Sequence, residues 1–156
     1  MTNIIIKFTL VGLVAIILSG CASGPRFTAA PQPASGKALV YVYRKSSIVG
    51  AAGYDKIYVN DDYLADLHSG GYCTHEIPEG TNVFYVIPRA SWIPLDIALL
   101  TNFQKTKYEK LRFDAEVGKT YYVNVYVAFA GHDMKLVEDV PGSKQISKLD
   151  LETDAK

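Results

Sequence analysis

No block of basic residues occurs anywhere in this chain, and lysine plus arginine equal aspartate plus glutamate at 16 each. Nucleic-acid binding needs a concentrated positive face to meet the phosphates, so the pattern argues against it. The same balance gives no electrostatic reason to bind anionic lipid heads. Cysteine is scarce, two in 156 residues, and no ligand pair stands at zinc-site spacing. The longest hydrophobic stretch, Ile4 to Leu18, falls short of the roughly 20 apolar residues that a spanning helix needs. Gly50 to Gly53 is no phosphate loop, because the Gly-Lys-Ser/Thr ending and a following helix are both missing. A long amphipathic helix is absent as well.

What is present begins at the amino terminus. Lys7 is the only charge before Cys21, Phe8 to Leu18 is nearly unbroken hydrocarbon, and Leu18-Ser19-Gly20-Cys21 follows. A charged start, a short apolar stretch and small residues describe a secretory signal. The four residues at its end resemble the bacterial lipobox. That resemblance implies cleavage between Gly20 and Cys21, a diacylglycerol on the Cys21 sulfur and an acyl group (palmitate) on its freed amine. One chain binds a bilayer marginally, whereas two or more hold stably at about 0.8 kcal/mol per buried methylene. Ala22 stands where lipoproteins retained at the inner membrane of two-membrane bacteria commonly carry aspartate. The expected location is therefore the periplasmic face of the outer membrane.

Removal of residues 1–20 leaves 15 basic against 16 acidic groups and room for one domain. Residues 21–36 read as the lipidated cysteine and a flexible Ala/Pro/Ser/Gly tether. Its 15 residues after Cys21 reach roughly 20 Å as coil and about 45 Å in polyproline form. Residues 37–151 read as the domain, and 152–156 as a frayed tail.

Within that domain the pattern is strand after strand. Ala38 to Arg44 is β-branched and aromatic, so both of its faces can be buried. Lys56 to Asn60 puts Ile57 and Val59 on one side. Asn60-Asp61-Asp62 supplies turn chemistry that tolerates positive φ, and Tyr63 to His68 returns. Further strands are expected over Tyr72–Ile77, Thr81–Ile87, Glu109–Glu116, Thr120–Ala128 and Met134–Glu138. In Glu109–Glu116, Leu111, Phe113 and Ala115 point inward. About seven or eight short strands with Gly, Pro or Asx punctuation predict an all-β fold, an antiparallel sandwich. Short helices are expected near 96–103 and 143–150, the second capped by Ser143 and carrying Ile146 and Leu149.

The run Ile57-Tyr58-Val59-Asn60-Asp61 to Leu64, then Ile77-Pro78-Glu79-Gly80, resembles the PEGA-type, immunoglobulin-like β-modules of bacterial surface proteins. The Val40-Tyr41-Val42-Tyr43-Arg44 opening and Gly118-Lys119-Thr120-Tyr121-Tyr122 resemble a bacterial lipoprotein family classed as a domain of unknown function. The likeness covers roughly Lys37 to Leu151, with 89–108 fitting worst, and implies a fold rather than an activity.

Candidates for chemistry are few. Cys73 and His75 share a strand face, His68 could join them from a neighbouring strand, and Asp61, Asp62 or Asp66 could orient a base. The same three could be soft metal ligands. No oxyanion turn follows Cys73, and the plainer expectation is a buried thiol beside two surface histidines, with no catalytic residue, metal or cofactor. Tyr41, Tyr43, Tyr122 and Tyr126 around Asn124 would form an aromatic patch if their strands were neighbours, fit to stack on glycan or peptide. Ordinary cross-strand aromatic pairing is the simpler reading. Trp92, Ile93 and Leu99 fall in an apolar insert too long for a hairpin, which either plugs the sandwich or contacts a partner. The expected function is a non-enzymatic, lipid-anchored interaction or accessory module with a membrane anchor and an envelope-protein partner. The alternative is a periplasmic binder of peptidoglycan or another saccharide through the tyrosine face, and more distantly an envelope hydrolase or metal binder.

Overall fold

The strand succession resolves into two packed sheets. The computed structural model describes residues 26–27, 30–48, 50–90, 108–128 and 131–152. The strands are β1 (Lys37–Arg44), β2 (Gly53–Val59), β3 (Asp62–His68), β4 (Gly71–Pro78), β5 (Gly80–Ala90), β6 (Tyr108–Ala115), β7 (Thr120–Ala128), β8 (Gly131–Val137) and β9 (Asp150–Leu151). One helix, α1 (Asp139–Ile146), lies between β8 and β9. The first sheet has the order β8-β7-β1-β4-β9 and the second β3-β2-β5-β6. This is the expected all-β sandwich. Two pairings depart from a purely antiparallel plan, since β1 runs parallel to β7 and β4 parallel to β9. The chain leaves β1 for β2 and β3, returns as β4 antiparallel on one edge of β1, leaves again for β5 and β6, and returns as β7 parallel on the other edge.

Local chemistry explains the turns. Asn60 and Asp61 adopt φ of 48° and 75°, the left-handed values that asparagine and aspartate tolerate, and they close the β2–β3 hairpin. Between the sheets lies the main core, to which β1 supplies Ala38, Val40 and Val42, β2 supplies Ile57 and Val59, and β7 supplies Val123 and Val125. Leu111 and Phe113 pack against it from β6, and Phe113 stacks on Phe84 at 5.4 Å.

A second apolar cluster covers the outer face of the first sheet. Leu39, Tyr41 and Tyr43 of β1 lie there with Tyr72, Tyr122, Ile146 and Leu149. Tyr41 and Tyr122 stack with centroids 5.4 Å apart and planes 11° apart, a contact worth about 0.5–1.5 kcal/mol beyond simple burial. Ile146 and Leu149 are the two apolar positions expected on a short helix, and both are buried. The helix itself begins four residues before Ser143, at Asp139. Pro141 fits its first turn, where a missing N–H costs little. Gly142 is required by contact, since a Cβ there would lie 2.5 Å from Cβ of Tyr122.

Both ends of the domain differ from the sequence reading. Within the segment read as a tether, Phe27 packs edge-on against Tyr41 at 5.3 Å and Arg26 bridges Asp150. The Ala34 amide donates to Glu76 Oε1 at 2.8 Å. At the other end, Glu152 is 6 % exposed rather than frayed, because its carboxylate accepts the backbone N–H of His68 and reaches Nδ1 at 3.2 Å. The 96–103 helix and residues 153–156 lie outside the described residues.

Replacing Gly142 by alanine should lift α1 from Tyr122 and lower stability by about 1–3 kcal/mol, the usual cost of overpacking. Thermal denaturation followed by far-ultraviolet dichroism would show a lower midpoint with an unchanged β spectrum. An unchanged midpoint would mean that the helix does not depend on this contact.

Candidate functional site

Arg44 ends β1 on the face that looks between the sheets, and its side chain is only 3 % exposed. Asp55 enters the same space one step before Ile57 and Val59, fully buried, with its carboxylate 3.3 Å from Nη1 of Arg44. His132 of β8 completes the cluster, its Nδ1 2.5 Å from Asp55 Oδ1. None of these close contacts to Asp55 is aligned as a hydrogen bond. Arg44 also donates from Nη2 to the Gly50 carbonyl at 2.7 Å and from Nη1 to the Gly53 carbonyl at 3.4 Å. Gly50 has φ of 74°, and a Cβ there would sit 2.8 Å from Nη2. The buried guanidinium thus holds the β1–β2 connection against the end of the sandwich.

A cavity of about 370 Å³ opens at Arg44 and is lined also by Lys45, Ser47, Asn124, Val125, Tyr126 and Val127. A second, about 450 Å³, shares Lys45 and is lined also by Ser46, Pro141, Lys144, Gln145, Lys148 and Leu149. Hydrogen bonds hold neighbouring residues in place. Tyr43 donates its hydroxyl proton to Gln145 at 2.7 Å, and Ser47 N–H donates to Ser69 Oγ at 3.0 Å.

The sequence candidates fall into three groups. The tyrosines do meet, because β1 and β7 are neighbours with Tyr41 opposite Tyr122 and Tyr43 opposite Asn124. Yet α1 and Phe27 cover them: Tyr41, Tyr43 and Tyr122 are 2 % exposed or less, and burial pushes the Tyr41 and Tyr43 hydroxyls up to about 12. Tyr126 alone of the four is open, at 36 %, with the Lys135 ammonium 5.4 Å above its ring. Cys73, His75 and His68 do not converge. Cys73 is an unpaired thiol in the main core, and burial drives its pKa far above the ordinary thiol value, which disfavours the thiolate. His75 follows on the same strand, its pKa lowered by desolvation, while His68 lies in the other sheet. No group of three or more His, Cys, Asp or Glu that could hold a metal occurs among the described residues. Gly20, Cys21, Trp92, Ile93 and Leu99 lie outside them.

The Arg44–Asp55–His132 cluster was missed in the sequence. Its one signal was parity: Asp55 occupies the same strand face as Ile57 and Val59, where a carboxylate must have a cation.

A family model described as a protein of unknown function, DUF2846, matches residues 34–138, well over half of the chain. The chain belongs to that family. The match begins at Ala34, the residue that docks on Glu76, and ends at the N-cap of α1. Both cavities draw on family residues, but α1 and the second cavity's Lys144 and Lys148 lie beyond the matched span. No curated protein matches the chain.

Replacing Asp55 by alanine should leave the Arg44 charge buried without its partner and cost about 3–5 kcal/mol in urea denaturation. Replacing the pair together, Arg44→Met with Asp55→Leu, should recover most of that loss. A single variant as stable as the parent would refute the role given to the pair. His68 offers a pH test. Its hydrogen bond to Glu152 raises its pKa above 6.5 in the folded chain. The stabilisation is therefore complete below about 6.5 and is lost as pH rises through the folded value. His75 shifts the opposite way, so the comparison of parent with His68→Gln isolates the effect. The stability gap between the two should narrow from about pH 6 to about pH 9, and a constant gap would exclude the linkage.

Proposed function

We propose that this chain is a lipid-anchored, non-enzymatic β-sandwich of the bacterial cell envelope, an interaction or accessory module held at the periplasmic face of the outer membrane. The carrying observation is Leu18-Ser19-Gly20-Cys21 placed directly behind Lys7 and the apolar Phe8–Leu18 stretch. Acyl chains on Cys21 supply the stable membrane hold, and Ala22 in place of aspartate directs the protein outward. Support for a binding rather than a catalytic role comes from the candidates themselves. Cys73 is sealed in the core, His75 and His68 belong to different sheets, and the buried Arg44–Asp55 pair is engaged in holding a loop. The likeness to PEGA-type modules rests on the Asn60-Asp61 hairpin and the Pro78-Glu79-Gly80 link, and it supports a β-module fold rather than an activity. An envelope protein is the proposed partner, with Trp92, Ile93 and Leu99 as its proposed contact residues.

The domain stands close to its anchor in this reading. Arg26 is docked on Asp150, and five peptide steps separate it from Cys21, a reach of at most about 18 Å.

Cys21→Ser should leave an unprocessed precursor without palmitate label, and Ala22→Asp should move the mature protein from outer- to inner-membrane fractions. Palmitate labelling that survives Cys21→Ser would overturn the anchor, and an Ala22→Asp protein that stays in the outer membrane would overturn the sorting.

A further inference from the structure

The two cavities meet at Lys45, and between them they hold an unmet hydrogen-bonding group and a surplus of positive charge. We propose that they form one groove for an acidic acetamido sugar, with Asn124 and Tyr126 receiving the ring and its amide and the lysines facing its carboxylate. The proposal rests on the envelope reading only for where such a sugar would be met; the groove itself is argued from the fold.

Asn124 carries the first part. It is 4 % exposed, it lines the first cavity, and its carboxamide oxygen has no hydrogen-bond partner among the described residues. An orphaned buried acceptor costs about 1–3 kcal/mol, and native interiors satisfy nearly all such groups. Its strand neighbour cannot supply the bond, because the Tyr43 hydroxyl is committed to Gln145. A carboxamide is donor and acceptor at once, and a half-turn of its end exchanges the two. A secondary amide offers the matching N–H and C=O, as an acetamido group does. Tyr126 borders the same cavity and is the exposed tyrosine there, which suits contact with the C–H face of a sugar ring.

Charge carries the second part. Neither cavity has a carboxylate in its lining, and the second is bordered by Lys45, Lys144 and Lys148. None of the three lysines makes an ion pair among the described residues. Arg44 is not available to a ligand, since its guanidinium is committed to Asp55, Gly50 and Gly53. An anion is therefore met by the lysines, beyond the amide site. Pro141 and Leu149 give the second cavity an apolar wall for a methyl or lactyl group. At about 370 and 450 Å³, each cavity falls at the lower end of small-molecule sites, roughly 300–1,000 Å³. Together they suit a disaccharide.

The test titrates the purified full chain with three probes: the N-acetylglucosaminyl–N-acetylmuramic acid disaccharide, the neutral N-acetylglucosamine disaccharide, and inorganic phosphate. Calorimetry should show saturable binding of the acidic disaccharide, with roughly tenfold weaker binding of the neutral one. Lys45→Gln with Lys144→Gln, both at exposed positions, should abolish that preference while leaving the thermal midpoint unchanged. Asn124→Ala should weaken both sugars alike. No saturable binding of either sugar would overturn the proposal. So would equal affinity for the two sugars, phosphate binding without sugar binding, or a lysine double variant that retains the preference. Binding in solution is independent of Cys21, so a failed anchor and a failed groove give separate results.

Discussion

Strand β1 is buried on both faces, and each residue from Ala38 to Arg44 must therefore find a partner within the protein. A strand in that position cannot serve a two-layer sandwich alone, because one of its faces would be left to water. Its even-numbered residues enter the space between the sheets, while Leu39, Tyr41 and Tyr43 require a separate cover. Phe27, Tyr72, Tyr122 and the Ile146–Leu149 turn supply it. The helix, the docked amino-terminal segment and the small ninth strand are all consequences of that outer face. They bring the two ends of the domain together at Arg26 and Asp150.

The same constraint reaches its limit at Arg44, where the strand's inner face turns from hydrocarbon to charge. A guanidinium buried there is tolerable only with a carboxylate beside it and carbonyls to take its remaining protons. Asp55 and the carbonyls of Gly50 and Gly53 meet those needs, and they shape the end of the sandwich in doing so. The next residue, Lys45, emerges into solvent between two cavities. Rigid strands and a loop fastened by a buried ion pair give those cavities walls that do not have to be assembled by a ligand, which limits the ordering cost of binding.

Much of the strand plan was legible because two-residue alternation records which side of a strand is wet. Parity puts Ile57 and Val59 on one side and Leu111, Phe113 and Ala115 inward, and all five lie against the core. The β1–β7 aromatic meeting was legible only as a condition: parity puts Tyr41 with Tyr43, and Tyr122 with Tyr126, on single strand faces, while the fold makes the two strands neighbours. What covers that face was not legible. Parity does not show that a helix lies over it, and α1 has only weak markings: a proline in its first turn and a glycine, Gly142, that is a poor helix former. The buried charge cluster escaped for a related reason. Arg44, Asp55 and His132 are far apart in the chain, and only the packing of β1, β2 and β8 makes them one group.

By itself, the sequence determined the all-β class, the strand positions and turns, and the charge balance that argues against a nucleic-acid surface. Each follows from local chemistry: residue parity, turn residues that accept positive φ, and net charge. The tertiary structure decided which polar and aromatic groups remain available. It sealed Cys73, Tyr41, Tyr43 and Tyr122, committed Arg44 to Asp55, and left Asn124, Tyr126 and the three lysines around the cavities. Availability depends on what covers a residue and what completes its hydrogen bonds, and both are set by segments distant in sequence.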